Sequence, residues 1–208
     1  MVYYFNKGGP IMWPLLALLC IGVIFIIVKL WVFARSQINV RKFLDEILEN
    51  VKAGKIDEAV KICENTRGPV SAVFHSGLTR IDKGITVMER AMENTAAIEI
   101  SFLEKGMVWL STIISVAPML GFLGTVQGMI IAFERVAKSN DIIPSEVAGG
   151  ISTALLTTFS GLAIAIPMQI FYNWFVSITD STVVNMEDAS NTLVETLLEQ
   201  KLITKEEE

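Results

Sequence analysis

Three long apolar runs constrain what this chain can fold into more than any other feature. No Asp, Glu, Lys, Arg or His interrupts the sequence at 11–28, 106–133 or 147–179. A helix needs about 20 apolar residues to cross the hydrocarbon core of a bilayer, so each run can span a membrane. The mean hydropathy is +0.52, and only 19% of the residues are charged. The sequence therefore excludes a disordered chain and predicts an all-α membrane protein with three transmembrane helices.

Lysine and arginine near the ends of these runs predict the orientation. Only Lys7 precedes the first run. Arg35, Arg41 and Lys42 follow it, and positively charged flanks remain in the cytoplasm. The predicted domains are a periplasmic N-terminus (1–10), transmembrane helix 1 (11–34), a cytoplasmic helical domain (35–105), transmembrane helix 2 (106–133), a periplasmic loop (134–146), transmembrane helix 3 (147–179) and a cytoplasmic C-terminal helix (180–208). We expect Lys29, near the end of the first run, to extend its ammonium group to the membrane interface.

Apolar residues also recur at helical spacing between the first two runs. They predict short helices at about 40–51, 56–65 and 70–82, separated by Gly54 and by Gly68-Pro69. From about residue 86 the same period continues into the second run without a breaker, which predicts one helix from about 86 to 133. We expect this helix and the C-terminal helix to extend side by side into a cytoplasmic helical bundle.

Several classes of function lack support in the sequence. The net charge is −5, without the clustered excess of Lys and Arg that a nucleic-acid binder needs. Cys20 lies in an apolar run and Cys63 in a charged region, so no disulfide is implied. His75 is the only histidine, and no nucleophile–base pair, Walker loop or dinucleotide fingerprint is present. We therefore expect no enzyme, no catalytic residue, no cofactor and no metal site.

Small residues line one face of each of the last two runs. At about 100° per residue, each face lies within an arc of about 80°. The faces consist of Pro118, Gly121, Thr125, Gly128 and Ala132 on the second run and of Gly150, Ala154, Thr158, Gly161 and Ala165 on the third. Small faces allow helices to approach closely in lipid. We therefore predict a helix-packing seam formed by Pro118, Gly121, Gly128, Gly150 and Gly161.

The same faces allow a second interpretation, the wall of a narrow channel. Threonine hydroxyls would then hold water or meet a partner's side chain, and the candidate pore residues are Thr125, Thr158, Thr153 and Thr157. A proton relay through a membrane normally needs ionisable side chains at depth, and the second and third runs contain none. The chain is therefore either an inert scaffold or a channel wall whose titrating group arrives on another polypeptide.

Three segments resemble the motifs of a known family. Residues 117–130 read APMLGFLGTVQGMI, which is close to the family segment APLLGLLGTVxGMI. GISTALLTT from Gly150, with GLAIAIP from Gly161 and Tyr172-Asn173, is similar to the last helix of that family, and GPIMWP from Gly9 to its first. On these motifs the chain is identified as a member of the MotA/TolQ/ExbB proton-channel family, closest to its ExbB-like branch.

The resemblance implies a partner and a type of motor. ExbB-like subunits form a homopentameric ring in the bacterial inner membrane, and the last two helices of each protomer line its pore. The pore holds helices of a single-span ExbD-like partner, each with one aspartate, and proton entry drives a rotation that energises a TonB-like protein for outer-membrane transport. Threonines matching Thr125 and Thr158 face that aspartate. Many members have a glutamate where this chain has Thr153, so the partner's aspartate is the expected titrating group.

Two alternative functions stay open at the level of sequence. Within the family, the chain could be a TolQ-like envelope motor or another ExbB-type stator with a different load. In a different class, it could be a non-conducting structural scaffold of the membrane. MotA-like members normally have four spans, whereas three are present here, so the ExbB and TolQ branch is favoured.

Overall fold

The computed structural model describes residues 5, 7–36, 40–139 and 144–200, and every regular element in these ranges is helical. The elements are α1 (Met12–Ser36), α2 (Val40–Lys52), α3 (Ile56–Asn65), α4 (Pro69–Leu78), α5 (Ile85–Glu104), α6 (Met107–Ser139) and α7 (Pro144–Glu199), with one 3-10 turn at Ile81–Lys83. Among the described residues, three stretches are long and apolar enough to cross a membrane: Met12–Ala34, Ile85–Lys138 and Val147–Glu199. The predicted fold class is therefore confirmed.

The described chain divides into two compact units, and each unit combines separate stretches of sequence. The span unit contains the described residues up to Lys29 together with Gly106–Trp174. The bundle unit contains Leu30–Lys105 and the described residues from Phe175 onward. Because α7 is one helix of 56 residues, it contributes to both units.

Large apolar side chains form the core of the bundle unit. Helix α2 buries Phe43, Ile47 and Val51, which are spaced by four residues on the stripe that the sequence predicts. These side chains join a cluster with residues of α3, α4, α5 and α7. The rings of Phe43 and Phe74 lie 5.7 Å apart, and Leu193 of α7 is fully buried. The end of α7 is thus held by burial of apolar surface.

The helix expected from about 86 to 133 is interrupted. Gly106 adopts a φ of +89°, so α5 ends at Glu104 and α6 begins at Met107. Glycine reaches this left-handed conformation without the steric penalty of a Cβ atom, and it commonly follows a helix C-terminus. The apolar period continues across the break, so periodicity alone does not detect it.

Other predicted limits also differ. The helix expected at 70–82 ends at Leu78, and the 3-10 turn follows it. Helix α6 continues to Ser139 and α7 begins at Pro144, so the described parts of the predicted 134–146 loop are helical. The side chain of Lys29 is only 6% exposed, so it is buried against protein instead of reaching solvent. Residues 1–4, 6, 37–39, 140–143 and 201–208, parts of the predicted N-terminus, cytoplasmic domain, loop and tail, lie outside the described residues.

Candidate functional site

The candidate site is built on a close approach of α6 and α7. A Cβ atom on Gly161 would lie 2.5 Å from the backbone oxygen of Ala117, and one on Gly121 would lie 3.0 Å from Cα of Thr158. Further along, a Cβ on Gly128 would lie 3.0 Å from the backbone oxygen of Gly150. Residue numbers rise on one helix as they fall on the other, so the two helices are antiparallel.

The contact surface contains most of the predicted seam. Gly121, Gly128, Gly150 and Gly161 all lie where the two backbones meet. Pro118 lies inside α6, partly buried, beside this surface. Gly124 also belongs to it, because a Cβ there would overlap the side chain of Thr157. The four-residue spacing from Gly124 to Gly128 is the sequence signal that reveals it, since small residues at this spacing favour close helix contact.

Two of the four candidate threonines lie on one side of this helix pair. On a helical wheel, Thr125 of α6 and Thr158 of α7 each lie about 65° from the centre of the contact surface. In both helices the offset has the same sense as the rotation from one residue to the next along the chain. Because the helices are antiparallel, the same direction of rotation leads to the same side of the pair. Thr158 packs at Gly121, one helical turn from Thr125. Both threonines are partly exposed.

Helix α1 and the segment before it contact the other side of the pair. The side chain of Met168 would lie 2.7 Å from a Cβ placed on Gly22, and that of Ile113 would lie 3.6 Å from it. The hydroxyl of Thr153 donates a hydrogen bond to the carbonyl of Lys7 at 3.0 Å. Ile113 and Thr153 are rotated from the contact surface in the direction opposite to Thr125 and Thr158. The side of the α6–α7 pair that carries Thr125 and Thr158 is therefore the one that α1 does not cover. We call it the open side.

The remaining two threonines have different surroundings. Thr157 is 1% exposed, and its hydroxyl donates to the carbonyl of Ala154 at 2.8 Å inside the contact surface. Thr153 lies on the α1 side, where its hydroxyl also donates to the carbonyl of Gly149 at 3.1 Å. Neither shares the open side with Thr125 and Thr158. A helical wheel of one helix cannot separate these roles, because it does not show where the neighbouring helices lie.

The hydroxyls on the open side are held by backbone carbonyls. Thr125 donates to the carbonyl of Phe122 at 2.7 Å, and Thr158 donates across the pair to the carbonyl of Gly121 at 3.2 Å. A hydroxyl has one donor and two acceptor lone pairs, so each oxygen can still accept a hydrogen bond. The hydrogen bond of Thr158 is the longer and therefore the weaker of the two, so the Thr158 hydroxyl can more easily turn to another acceptor. Each oxygen thus has acceptor capacity for a group that carries an O–H, and α6 and α7 themselves contain no acidic residue in this stretch.

Comparison with known proteins gives a consistent result. Residues 65–188 match the model of the MotA/TolQ/ExbB proton channel family. A biopolymer transport protein ExbB homolog of Methanothermobacter thermautotrophicus is 30% identical over 184 residues, which cover 88% of this chain and 65% of that protein. An ExbB-like protein of Synechocystis sp. is 28% identical, with 82% of each chain covered. The Tol-Pal system protein TolQ of Haemophilus influenzae is 39% identical over 84 residues, 40% of this chain and 37% of that protein.

The extent of these matches supports the motif resemblance found in the sequence. The chain spans slightly less than two thirds of the Methanothermobacter protein and well under half of TolQ. The family model, however, covers more than half of the chain and includes all of α6 and most of α7. The chain therefore belongs to the MotA/TolQ/ExbB proton channel family, as its motifs predict.

Proposed function

We propose that this chain is the ring-forming subunit of a proton-driven motor in the bacterial inner membrane, with an ExbB-like role. Thr125 and Thr158 of each protomer would line a central pore. The observation that carries the proposal is that both hydroxyls share the side of the α6–α7 pair that α1 leaves uncovered. A ring of further copies, five in the family pattern, would enclose this side. Its N-terminus would be periplasmic and its C-terminus cytoplasmic.

The proton carrier in this proposal is an aspartate on the single transmembrane helix of an ExbD-like partner. An ionised carboxylate is costly in a low-dielectric pore unless donors surround it. Rotation of the Thr158 hydroxyl away from Gly121 supplies one such donor, and Thr125 supplies another. A protonated aspartate instead donates its own O–H to a threonine oxygen. The two protonation states thus make different hydrogen bonds, so proton transfer changes how firmly the partner helix is held.

The mechanical output follows from this change in hydrogen bonding. Each protonation event loosens the partner helix at one protomer and lets it step to the next equivalent site. The chain is then a track for rotation, and the partner transmits the work to a TonB-like protein that energises outer-membrane transport. Because the ring supplies hydroxyls and no titrating group, proton movement requires the partner.

The decisive experiment measures proton flux into liposomes that contain the ring and its aspartate-bearing partner. Thr158→Val preserves side-chain shape and removes the hydroxyl, so we expect flux to fall at least about tenfold, an effect typical of losing a preorganised donor. The matched control is Thr112→Val. Thr112 lies on the neighbouring helix α6 and is exposed, and among the described residues its hydroxyl bonds only to the carbonyl of Val108, at 2.8 Å.

The control should retain normal flux, and both variants should form rings of normal mass. Full flux in Thr158→Val would refute the assignment of the pore side. Absence of flux from the wild-type ring with its partner would favour the non-conducting scaffold.

A TolQ-like envelope motor is the second candidate, supported by the 39% identity to TolQ over 84 residues. The two candidates share the same pore and differ in the load that the motor drives. A deletion strain separates them. Loss of iron-chelate import supports the ExbB-like role, whereas a cell-division or envelope-constriction defect supports the TolQ-like role.

A further inference from the structure

The bundle unit contains a cavity of about 950 Å³. It lies among the end of α1, the connection between α3 and α4, α4 itself and α5. A volume of this size is in the range that holds small ligands. None of its residues belongs to the proposed proton path.

Charged groups of both signs line this cavity. Arg67, Arg80, Glu64 and Glu99 all contribute to its walls. The guanidinium of Arg80 donates to the carbonyl of Ser76 at 2.7 Å, and Glu64 lies 3.4 Å from the ring nitrogen Nε2 of His75. Across the described ranges, the side chains of Arg67 and Glu99 make no ion pair or hydrogen bond. Within the described residues, the guanidinium of Arg67 and the half-buried carboxylate of Glu99 therefore line the same cavity without a partner.

Two exposed aromatic side chains also line the cavity. Trp31 is 62% exposed and Phe102 is 59% exposed. Trp31 lies near the end of the candidate span Met12–Ala34, and Phe102 lies four residues before Gly106, where the second charge-free run begins. Aromatic residues at the ends of spans are typical of the membrane–water interface. These positions favour a cavity at the depth of the lipid headgroups.

We propose that this cavity binds the headgroup of a phosphatidylethanolamine-type lipid. The phosphate binds the guanidinium of Arg67, the ammonium donates to the carboxylate of Glu99, and Trp31 and Phe102 contact the glycerol and the first acyl carbons. An anionic headgroup without an ammonium group would leave Glu99 unpaired. A choline headgroup has no N–H to donate. Free glycerophosphoethanolamine has the same polar group but gains nothing from the aromatic side chains, so we assign the site to the lipid.

The test is native mass spectrometry of the full-length oligomer in mild detergent after exchange with defined lipids. We expect about one phosphatidylethanolamine per chain, retained at least about tenfold better than phosphatidylcholine or phosphatidylglycerol. Arg67→Gln with Glu99→Gln keeps the net charge and should lower retention at least about fivefold. Arg67→Lys keeps a cation that binds phosphate as a point charge and should stay within about threefold of the wild type.

The matched control is Arg90→Gln with Glu93→Gln, two exposed residues of α5 outside the cavity, and it should retain the lipid as the wild type does. Equal retention of the three lipids, equal loss in both double variants, or displacement of the lipid by glycerophosphoethanolamine at matched concentration would overturn the proposal. A lower oligomer mass in the Arg67/Glu99 variant would also overturn it, because a second copy would then occupy the cavity. Proton flux is not measured, so this proposal and the proposed function fail independently.

Discussion

The helices of the two units pack through residues of opposite size. The bundle unit buries large side chains such as Phe74, Ile47 and Leu193 in one cluster. The span unit brings α6 and α7 together through glycine and alanine, so that backbone atoms of the two helices nearly touch. Water drives large apolar groups into a core, whereas lipid provides no such drive and favours close backbone contact instead. The bundle unit should therefore be sensitive to lost volume and the span unit to added volume.

The largest expected effect tests the bundle core by removing volume. Phe74 is completely buried, so Phe74→Ala should lower the free energy of unfolding by about 3–5 kcal/mol. Ile98→Ala is the control, because Ile98 on α5 is 67% exposed in the single chain and its loss should change stability by less than about 0.5 kcal/mol. Denaturant unfolding followed by far-UV circular dichroism measures both. Equal losses would mean that the bundle core does not determine stability.

The next effect tests the span unit by adding one methyl group. Gly161→Ala places its Cβ against the backbone oxygen of Ala117, which cannot move aside as a side chain does, and should destabilise by about 1–3 kcal/mol. Gly149→Ala is the matched control on the same helix, because a Cβ there has nothing within 4 Å. Unfolding by sodium dodecyl sulfate in mixed micelles compares the two variants. The close contact is contradicted if Gly161→Ala is as stable as Gly149→Ala.

A smaller effect concerns the glycine between α5 and α6. Gly106→Ala forces an L side chain into a φ of +89° and places its Cβ 3.3 Å from the ring of Phe25, so we expect a loss of about 1–2 kcal/mol. Gly106→Asn should lose less, because asparagine tolerates the left-handed region better than alanine. Thermal unfolding in detergent gives the ranking. A neutral Gly106→Ala would show that the helices continue through this position without a break.

The smallest effect on stability at neutral pH comes from a thiol in the bundle core. Burial raises the pKa of Cys63 from 9.0 to about 12, so the folded thiol stays protonated where an unfolded one ionises. Below pH 9 the thiol is protonated in both the folded and the unfolded state, so its titration does not change the free energy of unfolding. Between pH 9 and 12 only the unfolded thiol ionises, so the free energy of unfolding should fall as pH rises. In a Cys20→Ser background, iodoacetamide at pH 8 should react about 1,000-fold more slowly with folded than with unfolded protein. Equal rates would show that the core around Cys63 is open to water.

Sequence patterns predicted those elements whose signals are local. The three spans, the buried stripe of α2 and the limits of α3 at 56–65 agree with the structure. The break at Gly106 was not predicted, because apolar periodicity persists through it and only the backbone conformation reveals it. The length of α6 beyond its apolar run was also underestimated, since polar residues such as Glu134 and Lys138 are good helix formers outside the run.

The sequence by itself determined the number of apolar runs, the helical class and the lack of Asp, Glu, His, Lys and Arg at 106–133 and 147–179, because each depends only on residue type and spacing along the chain. Tertiary structure alone decided which hydroxyls share a side. It separates Thr125 and Thr158 from the buried Thr157 and from Thr153, which binds the Lys7 carbonyl. It also brings Arg67 and Glu99 to one cavity from elements 32 residues apart in the chain. Hydrogen bonds and ion pairs act over a few ångströms in space. Which side chains can form them therefore depends on the folded structure and cannot be seen from positions along the chain.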